Sequence, residues 1–244
     1  MKKRPIIIQG ALQSEIDLLL ERLSPTQRCE MGGCVFYEAI YRNMPIVISK
    51  TKMGEIAAAI ATTVAIERYH PAWILNQGTA GACAEELHTG DVIVGERAVY
   101  LSQYATAADR EGDPLNPWKS ESYRSLDGER ISLSVDERLL SFLKSLPIGG
   151  SVRFGAVGSG DVWTTDKAEI RSNHERLGIL CEAMECTGVY MAANSWGVPA
   201  VSVRVISNNE LLGESYLPRS AEIAQAFAIQ LIDAWVDLLQ NSPF

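Results

Sequence analysis

Apolar residues recur along this chain in two alternating patterns, which predicts strands that alternate with helices. Short, almost wholly apolar runs predict buried strands, and apolar residues three or four positions apart predict helices with one apolar face. The predicted strands are 5–9, 34–41, 45–51, 73–76, 90–94, 152–157 and 200–206, and the predicted helices are 16–23, 56–69, 134–146, 166–177 and 220–239. We therefore expect an α/β fold with a twisted, mixed central β-sheet flanked by helices.

Polar residues cluster where two predicted strands end, in the stretch 181–210. Glu185 follows the end of one strand, and Arg204, Ser207 and Asn208 lie at the end of the next. The carboxyl ends of parallel strands meet at one edge of a sheet, and ligands of open α/β sheets bind there. The stretch therefore predicts a ligand site.

Three further segments are predicted to be loops. Segments 77–82, which contains Thr79, and 158–163, which ends in Trp163, are rich in small residues that let backbone N–H groups approach a ligand. Segment 104–126 is dense in Gly, Pro, Asp and Ser and shows no period. A loop of that length predicts a lid or a binding segment.

Glu15 follows the first predicted strand and begins the first predicted helix. Ser14 is predicted to cap that helix, which puts Glu15 in its first turn. In the simplest interpretation the carboxylate complements the helix dipole. Its place near the carboxyl edge of the sheet also makes it a candidate for the ligand site.

Composition narrows the classes of partner. No linker or repeat interrupts the 244 residues, which predicts one domain spanning 1–244. A net charge of −8 argues against nucleic acid or an anionic membrane as the main partner. The amino-terminal apolar run is too short for a signal peptide, and the chain has no apolar run of membrane-spanning length. Five sparse cysteines suit a reducing cytoplasm, and their spacing predicts no metal site.

The polar residues predicted at strand ends form one chemical set: two carboxylates, an amide, an arginine and an aromatic ring. The sequence contains no Ser-His-Asp order, P-loop or zinc motif. The dinucleotide-binding fingerprint is also missing after the first strand, which disfavours an NAD-dependent dehydrogenase. The set suits a ribosyl compound, because a carboxylate can bind vicinal hydroxyls and a ring can stack on a base. A second carboxylate can activate a water for attack at the anomeric carbon.

The order of these motifs resembles the purine nucleoside phosphorylase and nucleosidase superfamily, most of all its methylthioadenosine/S-adenosylhomocysteine nucleosidases. The resemblance covers nearly the whole chain and implies a nucleoside phosphorylase-like fold. It rests on Ile8-x-Gly10-Ala11 to Glu15, Gly32-Gly33, Met53-Gly54, Asn76-x-Gly78-Thr79-Ala80-Gly81, Gly90-Asp91-Val92, Ser159-Gly160-Asp161, Met184-Glu185 and Val203-Arg204-x-Ile206-Ser207.

The resemblance implies roles for these residues at the sugar. Glu15 matches the general base for the attacking water, and Thr79 stands where a serine near that water is common. Met184 and Glu185 match the ribose clamp, in which Glu185 takes the sugar hydroxyls. Met53 would pack against the 5′ substituent.

Other matches concern the base and the support of the site. Trp163 replaces a phenylalanine that stacks on the base. Arg204 matches an arginine that supports the site and is counted with the catalytic residues, and Ser207 is counted with the substrate-binding ones. The resemblance also implies a homodimer and no metal or organic cofactor.

Two positions favour water over phosphate as the nucleophile. The phosphorylases of the superfamily hold phosphate with a Gly-Asp-Pro-x-Arg turn and a second arginine. Here the turn reads 10–14, GALQS, and Asn76 stands at the second place. Proteins usually bind anions through Arg, Lys or a helix N-terminus. Because these two positions offer no cationic side chain for phosphate, we expect a hydrolase.

Asn208 departs from the aspartate by which the adenine-cleaving relatives are thought to protonate the purine. An amide can donate a hydrogen bond but is not an acid. One interpretation keeps an adenosine-type substrate and takes the acid from Asn209-Glu210 or Asp161. A second is a 6-oxopurine nucleoside such as inosine or futalosine, because segment 182–185 and Ser207-Asn208 also resemble the futalosine hydrolases. A third is a catalytically weak nucleoside-binding protein.

Overall fold

The computed structural model describes residues 3–102, 132–146 and 151–241 of the chain. The predicted binding loop 104–126 lies outside the described residues. The apolar runs form strands and the amphipathic runs form helices, as expected. The helices are α1 (Asp17–Leu23), α2 (Glu55–Tyr69), α3 (Glu137–Ser145), α4 (Lys167–Leu177), α5 (Cys186–Ser195) and α6 (Ser220–Asn241).

Ten strands of the described chain join in one mixed sheet. They are β1 (Ile6–Gly10), β2 (Gln27–Met31), β3 (Cys34–Tyr41), β4 (Met44–Lys50), β5 (Trp73–Ala82), β6 (Val92–Tyr100), β7 (Ser132–Ser134), β8 (Val152–Ser159), β9 (Ile179–Ala183) and β10 (Ala200–Asn208). Their order is β10-β6-β8-β9-β5-β1-β4-β3-β2, with β7 on β6. The expected α/β fold with a mixed central sheet and flanking helices is confirmed.

Strand β5 organises the sheet because it pairs with β1, β9 and β10. The β5–β10 pairing closes β10, β6, β8, β9 and β5 into a ring, and β1, β4, β3 and β2 extend the sheet outward from β5. The β1–β5, β5–β10 and β8–β9 pairs are parallel. The carboxyl ends of β1, β5 and β10 therefore lie on one edge.

The core lies between the sheet and its helices. Ile6, Ile7 and Ile8 of β1 are completely buried because both neighbouring strands are parallel and both faces are covered. Helix α6 packs on β5 and β10, where Trp235 stacks at a tilt on the buried Trp73 with ring centroids 5.4 Å apart. The small residues of α2 allow it to pack closely on α5.

Two local expectations are wrong. The predicted small-residue loop 77–82 is the second half of β5, because its backbone pairs with both β9 and β10. Ser14 does not cap α1: it lies inside a single 3-10 turn, Gln13–Glu15, and α1 begins at Asp17. None of the helices in the described residues combines the length and apolar character needed to cross a bilayer.

Candidate active site

A cavity of about 340 Å³ opens where β1, β5, β8, β9 and β10 end. The described residues that line it are Ala11, Leu12, Glu15, Met53, Thr79, Ala80, Gly81, Ala82, Cys83, Val162, Trp163, Thr164, Ile170, Glu182, Ala183, Met184, Glu185, Ser207, Asn208, Glu210 and Tyr216. The structure thus brings together every predicted site residue except Arg204.

Three backbone N–H groups hold the Glu15 carboxylate. The N–H groups of Ala11 and Leu12 donate to Oε2 at 2.8 and 3.1 Å, and the N–H of Thr79 donates to Oε1 at 3.1 Å. Glu15 is 6% exposed and lines the cavity. Its carboxylate therefore bridges the turn after β1 to strand β5, which the simple helix-dipole interpretation does not require.

The sequence of β5 is what permits this position. A β-carbon on residue 78 would lie 2.7 Å from Glu15 Oε1, so only Gly78 leaves room for the carboxylate. Beside it, Gln77 Nε2 donates to the backbone carbonyl of Glu15 at 2.6 Å. Two adjacent residues of β5 thus fix both the backbone and the side chain of Glu15.

Glu185 is the N-cap residue of helix α5; it lines the cavity and is 8% exposed. Burial raises the pKa of its carboxyl, the Arg204 guanidinium opposes this rise, and the Glu15 charge adds to it. The Gly54 N–H donates to Oε1 at 3.3 Å. The charge of the Glu185 carboxylate is thus partly balanced by Arg204, and the carboxylate can accept hydrogen bonds from the hydroxyl groups of a ligand.

Arg204, which the resemblance matches to an arginine that supports the site, lies behind the cavity wall and outside the described lining. It is 1% exposed, and Nη2 lies 3.7 Å from Glu185 Oε2. Nη1 donates to the carbonyls of Asn76 and Val203 at 3.1 and 3.0 Å, and Nη2 also donates to Asn76 Oδ1. The side chain positions Glu185 through a buried ion pair.

Asn208 is 4% exposed at the end of β10 and lines the cavity. Its Nδ2 donates to Glu210 Oε1 at 3.2 Å, and Ser207 Oγ lies 3.0 Å from its Oδ1. An amide oxygen turned toward Glu210 would face a carboxylate oxygen, so the contact with Glu210 fixes the amide orientation.

Two residues that sequence analysis proposed as a substitute acid do not line the described cavity. Asp161 accepts from the Glu55 N–H at 2.8 Å at the start of α2. Asn209 is fully buried and donates to the carbonyls of Ala84 and Leu87 at 3.1 and 2.7 Å. Both are structural, whereas Glu210 lines the cavity.

Trp163 and Met53 lie at the open side of the cavity. They are 64% and 59% exposed, so neither is a core residue. On α2, Ile56 and Ile60 are also exposed. Since these isoleucines are four residues apart, they share one helix face close to Met53.

Glu182, Thr164 and Tyr216 also line the cavity, although none of the three is among the predicted site residues. Thr164 Oγ1 donates to Glu182 at 2.7 Å, and the Thr164 N–H donates to the same oxygen at 3.3 Å. Burial raises the pKa of Glu182. For Glu182 the available signal was its place in segment 182–185, which resembles the futalosine hydrolases, whereas no motif marks Thr164 or Tyr216.

The described lining contains four carboxylates, Glu15, Glu182, Glu185 and Glu210, and no Lys, Arg or His. Such a wall can accept protons and hydrogen bonds but repels an anion such as phosphate. In the described residues no three His, Cys, Asp or Glu side chains lie close enough together to hold a metal ion. The arrangement suits proton abstraction beside a neutral, hydroxyl-rich ligand.

The chain is similar to known proteins in both sequence and fold. The sequence model of the phosphorylase superfamily matches residues 5–236. A 5′-methylthioadenosine/S-adenosylhomocysteine nucleosidase of Oceanobacillus iheyensis is 28% identical over 206 residues, which cover 82% of this chain and 84% of that protein.

Two solved structures from Helicobacter pylori share the fold. The 5′-methylthioadenosine/S-adenosylhomocysteine nucleosidase bound to butyl-thio-DADMe-Immucillin-A has a TM-score of 0.78 at 22% identity, covering 96% of this chain and 99% of that one. The futalosine hydrolase has a TM-score of 0.76 at 23% identity, covering 94% and 97%.

Proposed function

The chain belongs to the phosphorylase superfamily, and on this premise we propose that it is a nucleosidase hydrolysing the N-ribosidic bond of a 5′-modified purine nucleoside. The methylthioadenosine and S-adenosylhomocysteine type is the first candidate, because it is the substrate in the names of its relatives. One observation carries the proposal: three N–H groups hold Glu15 on a cavity wall whose described lining has no cationic side chain.

In the proposed mechanism Glu185 binds the ribose hydroxyls while the bond between the anomeric carbon and the purine nitrogen lengthens toward an oxocarbenium-like state. Glu15 takes a proton from a water that attacks the anomeric carbon, and the electron pair of the broken bond leaves with the purine. Thr79 lies next to this water, and Met184 packs beside the sugar. Arg204 keeps Glu185 in position, and no step uses a metal or an organic cofactor.

The rest of the cavity is assigned to the base and the 5′ group. Trp163 stacks on the purine, Asn208 donates a hydrogen bond to its edge, and Ser207 holds the Asn208 amide. Met53 packs against the 5′ substituent. The exposure of Met53 and Trp163 in a single chain supports a partner covering this side.

We therefore propose a homodimer that uses the face of α2 bearing Ile56 and Ile60. Light scattering should give twice the chain mass, and replacing both isoleucines with glutamate should give the chain mass. The exposed Ile40 of β3 provides a matched control, since Ile40→Glu should leave the dimer intact. The five free cysteines support a cytoplasmic location, where thiols stay reduced.

A second candidate substrate has a 6-oxopurine base, as in inosine or futalosine. Asn208 favours it, because its amide can donate to an acceptor on the base edge but cannot protonate the base as an acid. The remaining alternative is a catalytically weak nucleoside-binding protein. Against it stands Glu15, the water-activating carboxylate, which such a protein has no need to retain.

Purine release in phosphate-free buffer tests the proposal. Methylthioadenosine, S-adenosylhomocysteine, adenosine, inosine and futalosine are compared with and without added phosphate. We expect free base without phosphate and no stimulation when phosphate is added. Activity only with phosphate would show that phosphate, and not water, is the nucleophile. If no base is released from any of these substrates, the result would support a nucleoside-binding protein.

A further inference from the structure

Glu185 occupies the N-cap position of α5 but does not cap the helix with its own side chain. An acidic side chain at this position ordinarily accepts a hydrogen bond from the N–H of the second or third helical residue. The Glu185 carboxylate instead accepts from the Gly54 N–H at 3.3 Å, lies 3.7 Å from the Arg204 guanidinium and lines the cavity. The first N–H groups of α5 therefore need acceptors from other elements.

Two side chains outside α5 supply these acceptors. Ser159 Oγ, at the end of β8, accepts from the N–H of Cys186 at 2.9 Å. Glu55 Oε2, in the first turn of α2, accepts from the N–H of Gly188, and the Ser159 hydroxyl donates to Glu55 Oε1. Gly188 is the third helical residue of α5, so Glu55 accepts the N–H that a capping side chain of Glu185 would accept.

The surroundings of Glu55 hold it in this position. It is 5% exposed, and its own N–H donates to Asp161 Oδ1 at 2.8 Å. Gly188 lets the two helices approach, because a β-carbon there would collide with the Glu55 carbonyl oxygen and lie 2.9 Å from Oε2. Burial raises the pKa of Glu55, and the hydrogen bonds from Ser159 and Gly188 oppose this rise. Both carboxylate oxygens are thus engaged at the start of α5, and Glu55 is not part of the described cavity lining.

We propose that Glu55 is a positioning residue of the active site: it caps α5 in place of Glu185 and thereby leaves the Glu185 carboxylate free for the ribose hydroxyls. Without Glu55 the Gly188 N–H would be buried with no acceptor, which is costly. The Glu185 carboxylate stands at the same helix start and would turn back to accept from this N–H, as N-cap side chains commonly do. The inference rests on the proposed nucleosidase activity and adds a residue that acts through Glu185.

Glu55→Ala tests the proposal by separating KM from kcat. The substrate is the nucleoside that the wild type cleaves best among methylthioadenosine, S-adenosylhomocysteine, adenosine, inosine and futalosine. We expect KM to rise by about tenfold to hundredfold, the usual effect of losing hydrogen bonds to a charged group. We expect kcat to change by less than about threefold, because the N–H groups that hold Glu15 lie outside α5.

Two further variants of α2 calibrate this result. Glu55→Gln keeps an acceptor for the Gly188 N–H, so it should return KM to within about threefold of the wild-type value. Glu67→Ala removes an exposed carboxylate of the same helix and should leave both KM and kcat unchanged.

The same change in a Glu185→Ala background shows whether Glu55 acts through Glu185. We expect Glu55→Ala to alter KM by less than about twofold there, because the carboxylate that it positions is already gone. A similar rise in KM in both backgrounds would mean that Glu55 supports only the fold, and an unchanged KM in Glu55→Ala would also overturn the inference. If Glu55→Ala does not fold, Ser159→Ala takes its place with the same expected results, because it removes the other acceptor and the donor to Glu55.

If the wild type cleaves none of these nucleosides, the nucleosidase proposal fails, and calorimetric titration with adenosine and 2′,3′-dideoxyadenosine then decides the inference alone. The second compound lacks the hydroxyl groups that Glu185 is proposed to bind. Tighter binding of adenosine by the wild type, lost in Glu55→Ala, supports the inference. Equal binding of the two compounds, no binding of either, or a preference that survives Glu55→Ala contradicts it.

Discussion

The carboxylate of Glu15 occupies the space that a side chain on Gly78 would take, because a β-carbon there would lie 2.7 Å from Glu15 Oε1. The neighbouring Thr79 N–H donates to that same oxygen. Strand β5 therefore positions the proposed water-activating group by leaving out one side chain and supplying one donor. This relationship explains why a glycine stands in the middle of a central strand, where it otherwise weakens packing.

Gly78→Ala should displace Glu15 and lower kcat by about 10²- to 10⁴-fold, the range associated with loss of a positioned acid or base. The change adds one methyl group, so the fold should persist with a modest loss of thermal stability. Steady-state kinetics and thermal unfolding by circular dichroism measure the two effects. A Gly78→Ala variant with wild-type kcat would show that Glu15 does not need this position.

Arg204→Met should destabilise the protein by about 3–5 kcal/mol, because it leaves the Glu185 carboxylate buried without its cation. KM should also rise, since Glu185 loses its support beside the ribose. Urea unfolding gives the free energy. Arg204→Lys keeps the charge but not the paired donors to Asn76, so it should recover part of the loss. If the free energy of unfolding falls by less than about 1 kcal/mol, the Arg204–Glu185 pair contributes no more than an ordinary surface ion pair.

Glu169 predicts a pH dependence of stability. Burial, with the charges of Glu182 and Asp166, raises its pKa from 4.5 to about 7. A carboxyl with a raised pKa binds more protons in the folded state, so its contribution to stability is full below pH 4.5 and falls as the pH rises toward 7. Glu169→Gln should reduce this fall in the free energy of unfolding. Identical pH profiles for variant and wild type would show that Glu169 titrates normally.

Much of this architecture follows from the apolar pattern. Strand β1 and helix α2 are predicted almost to their ends, because a short apolar run favours a buried strand and a long alanine-rich run favours a helix. The segment 77–82 was predicted as a loop because its small residues have low strand propensity. Pairing with two neighbouring strands overrides that propensity.

Site residues near the ends of strands could be predicted from the sequence. Contacts between side chains on different elements could not. Asn208 ends β10, Glu185 lies two residues after β9 and Glu15 lies five residues after β1, so the edge rule brings them together. The position of Arg204 behind Glu185 depends on the side to which β10 turns its fifth residue, which the all-buried strand does not reveal. The contact of Glu182 in β9 with Thr164, which lies between β8 and α4, joins residues 18 positions apart in the chain.

Base release by Glu15→Gln tests whether Glu15 activates the water; it is measured in phosphate-free buffer at a saturating concentration of the best nucleoside found for the wild type. We expect kcat to fall by about 10²- to 10⁴-fold with ligand affinity by calorimetry unchanged, because the amide keeps the shape of Glu15 but cannot take the proton from water. The exposed Glu21 of α1 supplies the matched control, and Glu21→Gln should behave as wild type. Full activity of Glu15→Gln would contradict water activation by Glu15.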